Sequence, residues 1–183
     1  MLHRYIGVIL NQKTCWIQPG GSEQERKTFA EVHPTGLVKP DDADAKVKFL
    51  AAEALRGVGG FLLDKNGKRF ANELGRRDYV TGEMWKNKPP FRLCLNSKAS
   101  EEIHWHVEHY KGRGVMKYYE SGAALAKDMG ISASTLEATF TEYNGIWEKN
   151  RDNAPNPPYD AYGGGKTHDP FGKKSPESAV ATK

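Results

Sequence analysis

The chain has 183 residues, 38% of them hydrophobic and 27% charged, with a mean hydropathy of −0.71, a polar composition that supports one modest core and little more. The net charge is +4 and the pI about 8.9, but Lys and Arg alternate with Asp and Glu, so no basic stripe marks a nucleic-acid face, and the small positive excess suits an anionic substrate instead. No apolar run reaches the ~20 residues of a membrane span, and Cys15 and Cys94 lie far apart without metal-ligand spacing, which points to free thiols in a reducing, intracellular and soluble setting.

In chain order, Tyr5–Leu10 and Cys15–Ile17 read as short strands, with Pro19-Gly20-Gly21 as a turn; residues 1–30 otherwise carry no motif. Val32 to Val38 reads as a strand interrupted by Pro34 and Gly36. Pro40 to Asp44 is an acidic loop. Asp44 can cap a helix predicted from Ala45 to Leu55, because Val47, Leu50, Ala51, Ala54 and Leu55 form one helical stripe. Gly57, Gly59 and Gly60 end it. Phe61-Leu62-Leu63 and Lys68-Arg69-Phe70 flank Asn66-Gly67, a hairpin signal. A short helix is predicted to end at Met84, before the break Lys88-Pro89-Pro90. Phe91 to Leu95 alternates as a strand.

Helices follow. Ser97 or Ser100 can cap a segment reaching Tyr110. Ser121 to Met129 stops at Gly130. Ser134-x-x-Glu137 is a capping box opening a helix with Leu136, Phe140, Tyr143 and Trp147 on one face. The last two form a helical hairpin around Gly130. Beyond Asn150, the prolines and Gly163-Gly164-Gly165 predict an extended loop, and the tail from Lys173 reads as disordered. The fold class is α+β: a small sheet or hairpin with packed helices.

Most chemical motifs taken singly are weak. Gly163-Gly164-Gly165-Lys166-Thr167 looks like the end of a phosphate loop, but Asp160 stands where its first glycine belongs and no strand precedes it. His104, His106 and His109 form H-x-H-x-x-H. A zinc site needs a further ligand, and Trp105 and Val107 read as the core face, leaving the histidines exposed. Gly57-Val58-Gly59-Gly60 follows a helix, the wrong order for a dinucleotide loop. Glu53 and Arg56, at i and i+3, read by spacing as an exposed ion pair. Arg76-Arg77-Asp78 reads as solvated charge and His33 as a half-buried histidine.

Together these blocks are far more specific. Val32-His33-Pro34-Thr35-Gly36, Ala52-Glu53-Ala54-Leu55-Arg56-Gly57-Val58-Gly59-Gly60, and Asn66 through Ala71-Asn72-Glu73-Leu74-Gly75-Arg76-Arg77-Asp78 resemble, in order and spacing, the fumarate reductase and succinate dehydrogenase flavoprotein family. Phe91–Asn96, Tyr110–Gly114 and Ser121–Gly130 are most similar to its soluble single-chain fumarate reductases. The likeness runs from about Glu31 to Lys173.

The resemblance implies FAD as cofactor and a small dicarboxylate, fumarate or succinate, as substrate. It also implies a capping domain over residues 31–150, with 151–173 leading toward a flavin domain and 174–183 as a tail. His33 would bind a substrate carboxylate, with Thr35 nearby. Arg77 would donate the proton, and Glu53 and Arg56 would reprotonate it. Fixed cations stabilise the charge that builds on the carbon and carboxylate opposite the hydride, and a planar guanidinium clamps a carboxylate in a way that Lys cannot. Ala52 stands where some members have a Thr. The family's glycine-rich flavin half has no counterpart in these residues. The expectation is therefore a fragment, inactive and without tight FAD binding unless a complementary flavin-domain chain is supplied. The alternative is a non-catalytic remnant or interaction module with the cap fold. The chemistry requires His33, Glu53, Arg56 and Arg77 to converge on one concave face.

Overall fold

The structure is a computed structural model that describes residues 5–10, 15–17, 31–42, 44–152 and 167–173. Its main sheet is antiparallel and built around β1 (Tyr5–Leu10) and β7 (Phe91–Asn96), which pair along their whole length from Tyr5↔Asn96 to Leu10↔Phe91. The far edge of β1 is shared by β8 (Lys117–Tyr119) and β4 (Gly36–Leu37), and β4 pairs onward with β5 (Phe49–Leu50). On the other side β7 pairs with β6 (Phe61–Leu63). A separate two-stranded ribbon joins β2 (Cys15–Ile17) to β3 (Glu31–His33).

The strand at 91–96 alternates less than its letters suggest, since all six residues are buried. Both faces of the sheet are covered, so Arg92 and Asn96, on the face opposite Phe91, Leu93 and Leu95, are buried as well. On one face Leu62, Phe91, Leu93 and Leu95 pack with Leu55 and Val58 of and after α1 (Ala54–Gly57), and with Val80 and Met84 of α2 (Arg77–Lys86). Ala99 of α3 (Ser97–Glu102) and Val107 and Tyr110 of α4 (His104–Gly112) complete that layer. On the other face Phe61, Leu63 and Cys94 meet Leu125 of α5 (Gly122–Met129) and Leu136, Phe140 and Tyr143 of α6 (Ala133–Asp152). The small sheet with packed helices expected from the sequence is present, with helices on both faces. Among the described residues no helix is long and apolar enough to cross a membrane.

Local signals explain several elements. At the Asn66-Gly67 turn, the Asp64 N–H donates to the Lys68 carbonyl at 2.9 Å and Gly67 takes φ +74°, closing a hairpin whose return side is the single bridge Leu63↔Arg69. Gly130 at φ +69° stops α5 in the left-handed conformation and opens the α5–α6 hairpin. Ser121 caps α5 by accepting the Ala124 N–H.

Other expectations are corrected. No helix spans 45–55; only the single turn of α1 is helical. The stripe is divided, with Ala51 and Leu55 in the core but Val47 80% and Leu50 41% exposed, because pairing to β4 takes the backbone at 49–50 into a strand and tertiary pairing outweighs weak propensity. The N-cap of α6 is Ser132, whose hydroxyl accepts the Thr135 N–H, and Ser134 lies inside the first turn. Asn96, not Ser97 or Ser100, caps α3 by accepting the Ala99 N–H at 2.8 Å, and the helical segment breaks at Ile103 before α4. Trp105, expected in the core, is 71% exposed and stacks on His109. The loop expected from Asn150 does not begin there, since α6 continues to Asp152, and residues 153–166 lie outside the described residues. The turn at 19–21, the side chain of Trp147, the glycine run at 163–165 and the tail beyond Lys173 lie outside the described residues.

A buried ionic cluster fastens residues 167–173 to the sheet. Arg69 clamps Glu73 through two bonds of 2.8 Å and also binds Asp169. Lys173, fully buried, lies 3.2 Å from the Glu73 carboxylate and 5.0 Å from the centre of the Tyr143 ring. Asp169 in turn accepts the backbone N–H groups of Phe171 and Lys173. Charges this deep persist only when paired; Lys173 Nζ has the Glu73 carboxylate as its ion partner but makes no hydrogen bond among the described residues.

Two predictions follow from this packing. A Cβ added at Gly60 would stand 2.3 Å from the Leu55 carbonyl oxygen, so Gly60→Ala should cost about 2 kcal/mol or more of stability, measured by urea denaturation. Burial alone would raise the Glu73 pKa, but Lys173 and Arg69 outweigh it and hold the carboxyl below its ordinary value. The stabilisation is therefore complete above the unfolded value of about 4.3 and is lost as pH falls through the lower folded value. Glu73→Gln should flatten that acid dependence and cost about 3–5 kcal/mol at neutral pH, because it leaves buried cations uncompensated.

Candidate active site

Three separate stretches meet in front of the Leu55–Val80 core. β3 ends at His33, which is buried. Glu53 stands at the N-terminal boundary of α1 and Arg56 within its single turn. Arg76, in an extended conformation at φ −58° and ψ 156°, turns the chain into α2, so that Arg77 opens a helix packed against β3.

Glu53 is the hub. Arg77 grips it as a fork, with Nε donating to Oε1 at 2.7 Å and Nη2 to Oε2 at 3.1 Å. Arg56 donates from Nη2 to the same Oε1 at 3.1 Å. Nη1 of Arg77 also lies 3.4 Å from Nε2 of His33. Two N–H donors thus converge on one carboxylate oxygen. This favours the ionised form of Glu53, whose pKa is lowered chiefly by the hydrogen bond from Arg77, with burial opposing.

Burial is graded along this chain of bonds. Arg56 is 4% exposed, and its Nη1 donates to the carbonyls of Glu73 and Gly75. Burial pulls its pKa down, and Glu53 counters that pull. The Arg77 and Glu53 side chains are 37% and 46% exposed. The Glu53–Arg56 pair is therefore not the solvated surface pair its spacing suggests; one member is locked into the core by main-chain acceptors distant in sequence. Arg76 and Arg77 diverge completely. Arg76 points to solvent with Asp78 at 3.5 Å, whereas its neighbour joins the cluster.

The structure brings His33, Glu53, Arg56 and Arg77 together. It does not hydrogen-bond Thr35 to them. Thr35 is fully buried and its hydroxyl donates to the Ala51 carbonyl at 3.1 Å, fixing the loop that leads to Glu53. Two participants had no separate signal in the sequence: the Glu73 carbonyl that receives Arg56, and Tyr110, whose hydroxyl reaches the same loop. Glu73 lies within the block carrying the family resemblance, but a main-chain acceptor leaves no mark on residue type. The histidines of α4 form no metal site: among the described residues no group of three or more His, Cys, Asp or Glu is placed to hold an ion. His109 instead accepts from Arg113 at 3.0 Å.

The arrangement suits an anionic ligand, with Arg77 at the accessible end of a fixed ionic chain and buried His33 beside it. Among the described residues no strand runs through a glycine loop into a helix N-terminus, and the glycines at 57–60 follow a helix and turn against the Leu55 carbonyl.

The sequence pattern of the FAD binding domain family matches residues 16–175. The fumarate reductase of Schizosaccharomyces pombe is 49% identical over 116 residues, covering 63% of this chain and 22% of that protein. Fumarate reductase 1 of Saccharomyces cerevisiae is 53% identical over 60 residues, 32% of this chain and 13% of its own length. Among solved structures, the open conformation of a flavocytochrome c3 fumarate reductase aligns with a TM-score of 0.54 at 26% identity, covering 65% of this chain and 20% of that one. The chain thus spans about a fifth of the length of the S. pombe relative and of that solved chain. A family pattern covering most of the chain, together with relatives and a solved structure that are fumarate reductases, places this protein in the FAD binding domain family.

Proposed function

We propose that this chain forms the substrate-capping part of a FAD-dependent fumarate reductase, with residues 31–150 as the capping domain and 151–173 leading toward the flavin domain. The observation that carries the reading is the shared carboxylate of Glu53, held between buried Arg56 and accessible Arg77 with His33 beside the latter. An isolated surface ion pair would need neither the buried arginine nor the convergence of three chain segments.

In the whole enzyme, reduced FAD would supply the hydride that adds to one alkene carbon of fumarate. The residues of this chain deal with the charge and the proton that follow. His33 binds a substrate carboxylate. Arg77 stabilises the negative charge developing on the second carbon and its carboxylate, in a site where excluding water strengthens each fixed cation. It then gives that carbon a guanidinium proton. Loss of a proton from Arg is costly, since its pKa exceeds about 12, so the step requires immediate replacement. Glu53, bonded to both guanidinium groups, passes a proton from the Arg56 side to Arg77. Hydride and proton together convert fumarate to succinate. Thr35 and the Ala51 carbonyl support this array from behind by fixing the approach to Glu53.

The test replaces the corresponding segment of the S. pombe fumarate reductase with residues 31–173 and follows fumarate-dependent reoxidation of the reduced flavin. Arg77→Ala should lower kcat by about a thousandfold, and His33→Ala should chiefly raise KM. Equal turnover with Arg77→Ala would reject the assigned roles. A chimaera that holds FAD yet never reduces fumarate would favour a non-catalytic interaction module.

A further inference from the structure

The loop carrying Glu53 has almost no regular structure between β5 and α1, yet its main chain is held at successive residues. The Ala52 N–H donates to the Tyr110 hydroxyl at 2.9 Å, and that hydroxyl donates to the Leu50 carbonyl at 3.2 Å. Between them, the Ala51 N–H donates to the Thr35 carbonyl at 2.9 Å and the Ala51 carbonyl accepts from the Thr35 hydroxyl. Residues 50, 51 and 52 are thus fixed by the Tyr110 hydroxyl from α4 and by the side chain and main chain of Thr35 between β3 and β4. The next residue is Glu53.

Tyr110 is well suited to this task. Its ring is packed among the core residues of the helical layer, and only 6% of the residue is exposed. The hydroxyl acts as donor and acceptor at once, the one arrangement in which a phenol satisfies a neighbouring N–H and C=O together. The bonds it closes span 58 and 60 residues of sequence. They therefore hold the Glu53 loop against α4, an element that contributes none of the four clustered side chains.

We propose that Tyr110 is a positioning residue for the proton relay, acting through the main chain of Leu50 and Ala52 to set where the Glu53 carboxylate stands between Arg56 and Arg77. The inference rests on the reading of Glu53 as the relay carboxylate. Phenylalanine at 110 keeps the ring and its packing but leaves the Ala52 N–H and the Leu50 carbonyl without this partner. The loop then gains freedom, and a carboxylate that must meet two guanidinium groups at hydrogen-bond distance is sensitive to small displacements.

Two readouts separate this inference from the reading beneath it. In the 183-residue chain, amide exchange of Ala52 should be about tenfold faster in Tyr110→Phe. In the chimaera, Tyr110→Phe should lower kcat about tenfold with KM changed less than about twofold, because the lost alignment serves the transition state and not substrate binding. Tyr143→Phe is the control: that hydroxyl is also buried but makes no hydrogen bond, so neither readout should move. Unchanged Ala52 exchange in Tyr110→Phe overturns the clamp outright. Faster exchange with wild-type kcat, in a chimaera where Arg77→Ala abolishes turnover, overturns the positioning role and leaves the relay standing. Turnover surviving Arg77→Ala overturns the relay itself, and the positioning role with it.

Discussion

A guanidinium taken out of water must have its charge and its N–H groups answered by the protein. Arg56 answers its charge and its two terminal nitrogens by reaching Glu53 on its own turn and the carbonyls of Glu73 and Gly75 on a stretch of chain far along the sequence, while its buried Nε has no partner among the described residues. That demand draws α1 against the 73–75 segment. It also places the start of α2, and so Arg77, within reach of Glu53. Glu73 serves in two ways, its carbonyl receiving Arg56 and its carboxylate receiving Arg69 and Lys173. The ionic cluster around Glu53 and the buried cluster that anchors 167–173 are therefore joined at one residue.

The layers support the cluster from behind. The sheet is covered on both faces, and α1 and α2, which carry Arg56 and Arg77, pack against one of those cores through Leu55, Val80 and Met84. Burial rises from Arg77 and Glu53 to Arg56, which gives the ionic chain an accessible end and an anchored end. The accessible end can meet a ligand, while the anchored end holds its geometry without help from one. An arrangement of this kind needs little reorganisation when charge develops nearby, which is the physical content of electrostatic preorganisation.

Much of this was visible in the letters. The 61–70 hairpin followed from Asn66-Gly67, the end of α5 from Gly130, and the cluster itself from motif blocks whose order and spacing resembled a known family. What was hidden depended on long-range partners. The stripe at 47–55 resembled a helix because periodicity ignores the strand that pairs with residues 49–50. Arg56 looked like half of a surface pair because its main-chain acceptors have no residue-type signature. Trp105 looked like core because aromatic character says nothing of which way a helix is rotated. By composition alone Arg76 and Arg77 are alike; the resemblance singles out Arg77, and the turn into α2 is what leaves Arg76 in solvent and brings Arg77 to Glu53.

The central claim is that Arg77 and Arg56 share the Glu53 carboxylate and fix it as an ion, and titration of that carboxyl group tests it most directly. With the glutamate side chains labelled for carbon NMR, Glu53 should titrate below the ordinary value of about 4.3, because the Arg77 fork favours its charged form. In Arg77→Ala it should move back up toward that value. A Glu53 carboxyl that titrates as an ordinary surface glutamate, and does so equally with and without Arg77, would contradict the account.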